Sequence, residues 1–410
     1  MADLFLVVDA GGSQTKVIFQ TPTDDKPQFF LMPPDVEPIS QVQFDRYQER
    51  IGWLGSPSPQ QQAWFTVTDQ LWVVGAFAAE FDPQDRLREK KYENALYKVL
   101  AAVGVVVQKL GMSRRKIALH LALLLPWQEF NDRQAFETQL RSLLTGFAFR
   151  GQALKVSLKS FLCRPEGGGL AATRMRQQGL EWFQERRLVV LLFGHRNTSA
   201  LYFEYGQFKQ GDSPLYGFSQ FMALLTARYS VLDEKALLLA LVKAMQTHRE
   251  AYEQQVRTYE SATWGRNRYS RDIDYPNWQR ARALDELVTV RDETLRSSEQ
   301  EALGEAVEAA LDEYWEKLEA WLLKVVPTEL DEVIVSGGAA LLLEPKLRQF
   351  FDDTRGKRPL DGDDVVWDAE LKETMEKAFS WRFSDNGYGT ARFADAYGLF
   401  DQMLSAAGEK

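Results

Sequence analysis

An aspartate, two glycines, two hydroxyls and a lysine crowd into one short stretch near the start of the chain, Asp9-Ala10-Gly11-Gly12-Ser13-Gln14-Thr15-Lys16. A carboxylate at a bend can take a hydrated hard cation. Backbone N–H groups bared by Gly11 and Gly12, flanked by the Ser13 and Thr15 hydroxyls, can wrap anionic oxygens. The stretch therefore reads as a cradle for phosphate and magnesium. It is neither a P-loop nor a dinucleotide fingerprint, because a β-rich run, Lys16 to Phe19, follows the glycines where those motifs need a helix. Gly-Gly beside an acid would equally suit an ordinary hairpin turn.

Three further glycine turns stand at the ends of strand-like runs. In Leu188 to Phe203 the strand-turn-strand programme restarts around Gly194-His195-Arg196-Asn197-Thr198-Ser199. Superposing the two units puts Gly194 on Gly11 and Thr198 on Thr15, so the chain carries an internal duplication. Leu192 falls on Asp9, and leucine can neither ligate a cation nor accept a hydrogen bond. Arg196 is placed to neutralise phosphate charge in that turn; His195 reads as a surface residue. Arg164-Pro165-Glu166-Gly167-Gly168-Gly169 puts Glu166 between a strand end and a helix start, where it can project into a cleft or simply favour the helix dipole. In Val335-Ser336-Gly337-Gly338-Ala339-Ala340 a strand enters a helix through two glycines, which suits a phosphate or ribose edge.

The elements that must position these turns follow from hydrophobic periodicity. Leu4 to Val8 is an unbroken apolar run, expected as a buried strand. Thr21 to Gln62 reads as a proline-rich polar loop, followed by strands Ala63 to Thr68 and Leu71 to Val74 joined at Asp69-Gln70. Lys91 to Leu110 has helical spacing at Leu96, Val99, Leu100 and Val103. Lys116 to Leu125 is a strand stopped by Pro126, Phe136 to Leu144 a helix, Ala153 to Leu162 a strand, and Leu170 to about Arg187 a helix. This alternation implies a mixed α/β layer fold. Val231 to Val326 turns helical and charged, with a core stripe at Leu303, Val307, Leu311, Tyr314, Leu318 and Leu322. Within it, Arg257 to Arg282 interleaves Arg266, Arg268, Arg271 and Arg280 with Tyr259, Trp264, Tyr269, Tyr275 and Trp278, either an interface or a solvated loop. Asp352 to Asp364 reads as a surface loop and Gly389 to Met403 as a closing helix.

Composition sets the outer bounds. With 410 residues and 45% apolar content the chain can bury a large core, as two domains or one bilobed unit. The lobes are expected at 1–187 and 188–410, with a helical insert at about 231–326. Against 58 acidic residues stand 49 basic ones, a net charge of -9, which disfavours binding DNA or anionic membranes through overall charge. One cysteine, Cys163, excludes an internal disulfide and any multi-thiolate zinc site and suits a reducing cytoplasm. Cys163 itself reads as a small buried hydrophobe. The longest apolar stretch, Ile117 to Trp127, is interrupted by His120 and Pro126, so neither a signal peptide nor a membrane span is expected and the location is read as cytoplasmic.

Taken together, the motifs resemble the actin-like ATPase superfamily and, within it, the ParM/StbA proteins, filament-forming bacterial actins of plasmid segregation. The carrying residues are Asp9 to Lys16, Val74-Gly75-Ala76-Phe77-Ala78, Leu125-Pro126, Pro165-Glu166-Gly167, Val335-Ser336-Gly337-Gly338 and Arg392-Phe393-Ala394-Asp395-Ala396-Tyr397-Gly398-Leu399. The resemblance spans nearly the whole chain and implies a two-lobed α/β fold closing on ATP or GTP with Mg2+, the C-terminal helix packing back on the first lobe. It implies that Asp9 holds magnesium through water and that Gly11, Gly12, Ser13, Thr15 and Lys16 meet the β- and γ-phosphates. Glu166 would orient the attacking water, consistent with phosphoryl transfer needing position and charge more than covalent chemistry. Gly194, Arg196, Asn197, Thr198, Gly337 and Gly338 complete the implied nucleotide-binding set. The family has an aspartate where this chain has Leu192, which puts hydrolysis in doubt.

The expected function is a nucleotide-dependent filament with slow hydrolysis, serving DNA segregation or a derived cytoskeletal role. Its partners would be further copies of itself and a DNA-binding adaptor. The alternatives are a nucleotide-binding scaffold without turnover and a phosphotransferase of the sugar-kinase type, for which no dedicated carboxylate motif is found.

Overall fold

The computed structural model describes residues 3–50, 57–83, 90–112, 116–230, 233–262, 275–288, 292–354, 365–367, 375, 377, 379 and 388–408. The chain divides into two compact units, one of residues 1–179, 369–383 and 393–410, the other of residues 180–368 and 384–392.

The first unit is built on the opening hairpin. Strand β1 (Leu4–Ala10) pairs antiparallel with β2 (Thr15–Gln20), which pairs with β3 (Gln28–Met32). On its other side β1 runs parallel to β7 (Lys116–Leu125), and β7 parallel to β10 (Lys155–Pro165), giving the order β10-β7-β1-β2-β3. Leu4, Leu6, Val7 and Val8 are buried, as a strand covered on both faces requires. Helix α2 (Lys91–Lys109) covers this sheet, buried almost all round from Ala95 to Val107. A smaller sheet adds β4 (Val36–Ile39), β5 (Ala63–Val67), β6 (Gln70–Val74), β8 (Phe147–Phe149) and β9 (Gln152–Ala153) in the order β4-β6-β5-β8-β9. Helix α3 (Arg133–Leu144) packs on β10.

The second unit repeats the first sheet strand for strand. Hairpin β11 (Arg187–Phe193) and β12 (Thr198–Glu204) is antiparallel, and β13 (Gln207–Asp212) extends it. β11 runs parallel to β14 (Glu332–Ser336), and β14 to β15 (Val365–Trp367), so the order β13-β12-β11-β14-β15 matches that of the first unit. The duplication read from two glycine turns thus extends to a whole sheet. Over it lie α6 (Phe218–Thr226), α7 (Glu234–Ala262), α8 (Arg282–Asp285), α9 (Glu293–Val325) and α10 (Ala340–Thr354). The α9 stripe from Leu303 to Leu322 is core, each of its residues 2% exposed or less. The Tyr314 hydroxyl donates to the Tyr216 carbonyl at 2.8 Å.

Several expectations change. Thr21 to Gln62 is no simple loop: it holds β3, β4 and α1 (Gln41–Arg50). Helix α1 starts on a capping box, Ser40 Oγ accepting from Gln43 N–H at 3.2 Å and Gln43 Oε1 from Ser40 N–H at 2.9 Å, a signal that proline-rich composition obscured. The helix expected from Leu170 is two, α4 (Gly168–Gln178) and α5 (Leu180–Gln184), because Gly179 takes a left-handed φ of 99°. The described ends of the Arg-aromatic segment, Tyr275 and Trp278, pack into the core of the second unit; Trp264, Arg266, Arg268, Tyr269 and Arg271 lie outside the described residues. So does most of the Asp352 to Asp364 stretch, of whose side chains nothing is described.

The C-terminal helix α11 (Tyr388–Gly408) meets α4 at two glycines. A Cβ on Gly169 would collide with the Asp395 carbonyl, and one on Gly398 with the Gly169 carbonyl. Backbones this close leave room for hydrogen only. Gly398→Val is therefore expected to lower stability by at least about 1–3 kcal/mol, the usual cost of overpacking. Thermal denaturation followed by circular dichroism measures it; an unchanged melting temperature would refute the contact.

Candidate functional site

The parallel strands β1, β7 and β10 all end at one edge of their sheet, since Val8 pairs with Leu123 and Pro165 with Leu125. In open sheets with parallel strands, sites form at such carboxyl edges. Asp9 closes β1, and Glu166 follows β10 with its N–H donating to the Leu125 carbonyl at 2.8 Å. Between the two carboxylates lies Lys91, the first residue of α2. Its ammonium donates to Asp9 Oδ1 at 2.9 Å and to Glu166 Oε1 at 2.6 Å. Lys16, paired with Asp9 across the hairpin, donates to Asp9 Oδ2 at 2.5 Å. All four side chains are at least four-fifths buried.

Each member is held from a different direction. Glu129, just after β7, accepts from the backbone N–H of Lys91 at 3.0 Å and of Tyr92 at 2.8 Å, pinning the start of α2. Two turns along the same helix Lys98 donates to the Gly11 carbonyl at 3.3 Å. Asp395, from α11, accepts from the N–H groups of Gly167 at 2.7 Å, Gly169 at 2.8 Å and Leu170 at 3.2 Å, so it caps α4 from outside that helix. Glu166 is thereby fixed between a capped helix start and a buried ammonium.

Electrostatics follow from this packing. Burial opposes the ionisation of Asp9, but Lys16 and Lys91 outweigh it and hold the carboxyl well below the usual carboxylate range. Burial likewise opposes charge on Lys91, and the two carboxylates more than offset it, so its ammonium is held well above the usual lysine value. Asp395 goes the other way: burial pushes it up to about 7, with the negative charges of Asp9 and Glu166 adding to the effect. Cys163, buried on β10, is pushed up to about 12 by burial, in keeping with a packing role.

The turn between β1 and β2 is tight: a Cβ on Gly11 would lie 2.6 Å from the Gln14 carbonyl oxygen. Gly194 repeats the geometry, its Cβ position 2.7 Å from the Asn197 carbonyl, to which its own N–H donates at 3.0 Å. The hydroxyl of Thr15 and the side-chain oxygen of Gln14 are buried and meet no hydrogen-bond partner among the described residues. Thr198, in the matching place, instead donates to the Tyr216 carbonyl at 2.8 Å.

In the second unit the expected residues also assemble. Gly337 lies against the end of β11, where a Cβ would strike the Phe193 backbone, and the Ala339 N–H donates to Phe193 at 3.1 Å. Gly194, Arg196, Asn197, Thr198, Gly337 and Gly338 thus share the carboxyl edge of the second sheet. The carbonyls of Gly194 and His195 accept from the first N–H groups of α6, at 3.0 Å from Phe218 and 2.9 Å from Ser219. Asn197 Nδ2 donates to Ser199 Oγ at 3.1 Å, and both residues are buried. Leu192, half-buried, pairs with Ser336 of β14.

Of the residues singled out in the sequence, Asp9, Lys16 and Glu166 come together in one cluster; Lys91, Lys98, Glu129 and Asp395, which hold them, were not among the expected site residues. A signal was present for some of them. Lys98 is the one charge in the otherwise apolar run from Ala95 to Val107, and Asp395 stands among buried Phe393, Ala394 and Ala396, whereas Lys91 follows the charged run Arg88-Glu89-Lys90 and carries no such mark.

No protein-family model matches the chain, and no curated protein matches it. Solved structures do. An archaeal actin homologue in complex with ADP aligns over 100% of both chains at 13% identity with a TM-score of 0.52. A 15-stranded ParM filament from Clostridium botulinum aligns over 99% of this chain and 100% of that one, at 12% identity and a TM-score of 0.54. The apo pSK41 ParM protein aligns over 99% of each, at 13% identity and 0.52. The chain has the actin-like fold. The solved structures that share it here are ParM proteins and an archaeal actin homologue. No described helix is long and apolar enough to cross a membrane.

The raised Asp395 value fixes a pH dependence. Folded, the carboxyl keeps its proton up to about 7, whereas unfolded it gives it up near 3.8. Stability gained from it is present at low pH and is lost as pH rises between those values, by up to about 1.4 kcal/mol per pH unit. Asp9, with its opposite shift, contributes a constant amount over the same interval. Urea denaturation midpoints are expected to fall from pH 5 to pH 7.5 in the wild type, and less in Asp395→Asn; equal slopes would contradict the assignment.

Proposed function

We propose that the chain is an actin-like nucleotide-binding protein that assembles with ATP or GTP into filaments, for DNA segregation or a derived cytoskeletal role. The observation that carries the reading is the Asp9-Lys16 hairpin turn at a carboxyl sheet edge, repeated with the same backbone geometry at Gly194. Two solved structures of this fold add support, one an ADP complex and the other a filament. Gly11, Gly12, Ser13, Thr15 and Lys16 would meet the phosphates, and a phosphate oxygen would satisfy the orphaned Thr15 hydroxyl. Gly194, Arg196, Asn197, Thr198, Gly337 and Gly338 would complete the nucleotide contacts.

Hydrolysis, in this reading, is slow. Glu166 would orient the attacking water, yet its carboxylate is already engaged by Lys91, and Leu192 supplies no second acid. The same leucine favours a second reading, a nucleotide-binding scaffold without turnover. Filament growth needs a heterologous, non-closing contact between copies, and segregation would further need an adaptor that binds DNA.

Ninety-degree light scattering, phosphate release and electron microscopy of the pelleted protein test the proposal together. With ATP or GTP and Mg2+, polymer with slow phosphate release is expected; nucleotide binding without polymer would select the scaffold, and phosphate transfer to a small molecule would refute both. Asp9→Ala removes the carboxylate that ties the hairpin turn to Lys16 and Lys91, loosens the turn that would carry the phosphates and is expected to abolish nucleotide-dependent assembly. Undiminished scattering in that variant would sink the role given to Asp9.

A further inference from the structure

Lys91 belongs to none of the motifs that carry the resemblance, yet it occupies the centre of the charged cluster in the first unit. The resemblance implies a magnesium ion near Asp9, reached through water. Asp9 Oδ1 accepts from Lys91 at 2.9 Å and Oδ2 from Lys16 at 2.5 Å, so each carboxylate oxygen already faces an ammonium. Glu166, the other nearby carboxylate, gives Oε1 to the same Lys91 at 2.6 Å. Asp395 directs both its oxygens to the N–H groups that begin α4. The position matching Asp9 in the second unit is Leu192, which has no oxygen to offer. Among the described residues no three His, Cys, Asp or Glu side chains gather to hold a metal. A hydrated divalent cation wants carboxylate oxygens turned toward its waters and a negative local field. Two buried ammonium groups on one carboxylate provide neither, and the residues do not fit the ion.

They do fit an anion. A polyphosphate approaching bare Asp9 and Glu166 would be repelled, and in a low-dielectric pocket that repulsion is large. A divalent cation is one remedy. A buried lysine between the two carboxylates is another, because it cancels their field from behind without having to touch the ligand. Lys16, on the turn itself, and Lys98, whose ammonium donates to the Gly11 carbonyl at 3.3 Å, add positive charge beneath the backbone that would meet phosphate. These charges are fixed by the fold, so no ion need be recruited.

We infer that Lys91, together with Lys16, supplies at the Asp9 site the positive charge that magnesium would otherwise bring, so that the chain binds a nucleoside triphosphate without a divalent cation. The inference rests on the nucleotide-binding reading above. Lys91 is a positioning and charge-balancing residue here, acting through Asp9 and Glu166.

Isothermal titration of the full chain with ATP and with GTP, in EDTA and in Mg2+, tests it. Wild-type affinity for the nucleotide that binds is expected to differ by no more than about threefold between the two conditions, a difference of about 0.65 kcal/mol or less. Lys91→Met should bind about tenfold or more weakly in EDTA and regain affinity in Mg2+, because uncovering the carboxylates creates a need for the ion. Lys91→Arg, which keeps the charge, should bind in EDTA. If wild-type binding needs Mg2+, falling about tenfold or more in EDTA, the inference is overturned and the nucleotide reading stands. If Lys91→Met binds in EDTA as the wild type does, the inference is equally overturned. Absence of binding under both conditions overturns the nucleotide reading and this inference with it. The wild-type comparison decides the matter even where a variant fails to fold.

Discussion

The ammonium of Lys91 between Asp9 and Glu166 joins three segments at one point: the end of β1, the start of α2 and the turn from β10 into α4. Two buried carboxylates at one sheet edge repel each other, and the ammonium between them offsets that repulsion. Breaking such a buried pair by removing one partner typically costs about 3–5 kcal/mol, since the remaining charge is stranded. The cluster therefore constrains where α2 begins, and the carboxylate of Glu129 enforces that start from the end of β7. Asp395 closes the arrangement from α11, which can approach because Gly169 and Gly398 carry no side chains.

The second unit repeats the first sheet but resolves its polar edge differently. Its turn from Gly194 to Asn197 has the same tight geometry, yet the carbonyls of that turn cap α6, and Thr198, Asn197 and Ser199 satisfy one another or the backbone. With Leu192 at the position that matches Asp9, the second turn has no acid there, and its formal charge is that of Arg196. One duplicated scaffold thus carries a turn with a carboxylate held between lysines and a turn without that carboxylate. The asymmetry bears on chemistry because the charges at each edge set the field that a phosphate meets.

Legibility in the sequence followed the range of the interactions. Strands β1, β5, β7 and β11 and helix α2 appeared within a residue or so of their places, because an apolar run of fixed period has few other ways to hide from water. The α9 stripe was readable as core for the same reason. Helix α1 was passed over although Ser40 and Gln43 spell its cap, and β3 was hidden between proline-rich segments. The break at Gly179 shows a glycine overruling periodicity. In the site, Asp9 and Lys16 are cross-strand neighbours in one hairpin, and their pairing was accessible from sequence; Glu166 was reachable only through its setting at a strand end. Lys98 could be noticed as an odd charge in an apolar run, but Lys91, at the end of a charged run, offered no mark and no partner.

By itself the sequence determined the two glycine hairpins, their duplication, the alternation of strand and helix and the loss of an acid at Leu192, since each depends on residues close together in the chain. Only the tertiary structure decided that Lys91, Asp9 and Glu166 form one buried cluster, that Glu129 sets the helix presenting Lys91, and that Asp395 caps α4. Those contacts join residues separated by 38, 75, 82 and more than 200 positions. The order and direction of the sheet strands fix which distant ends meet, and local periodicity carries no record of that order.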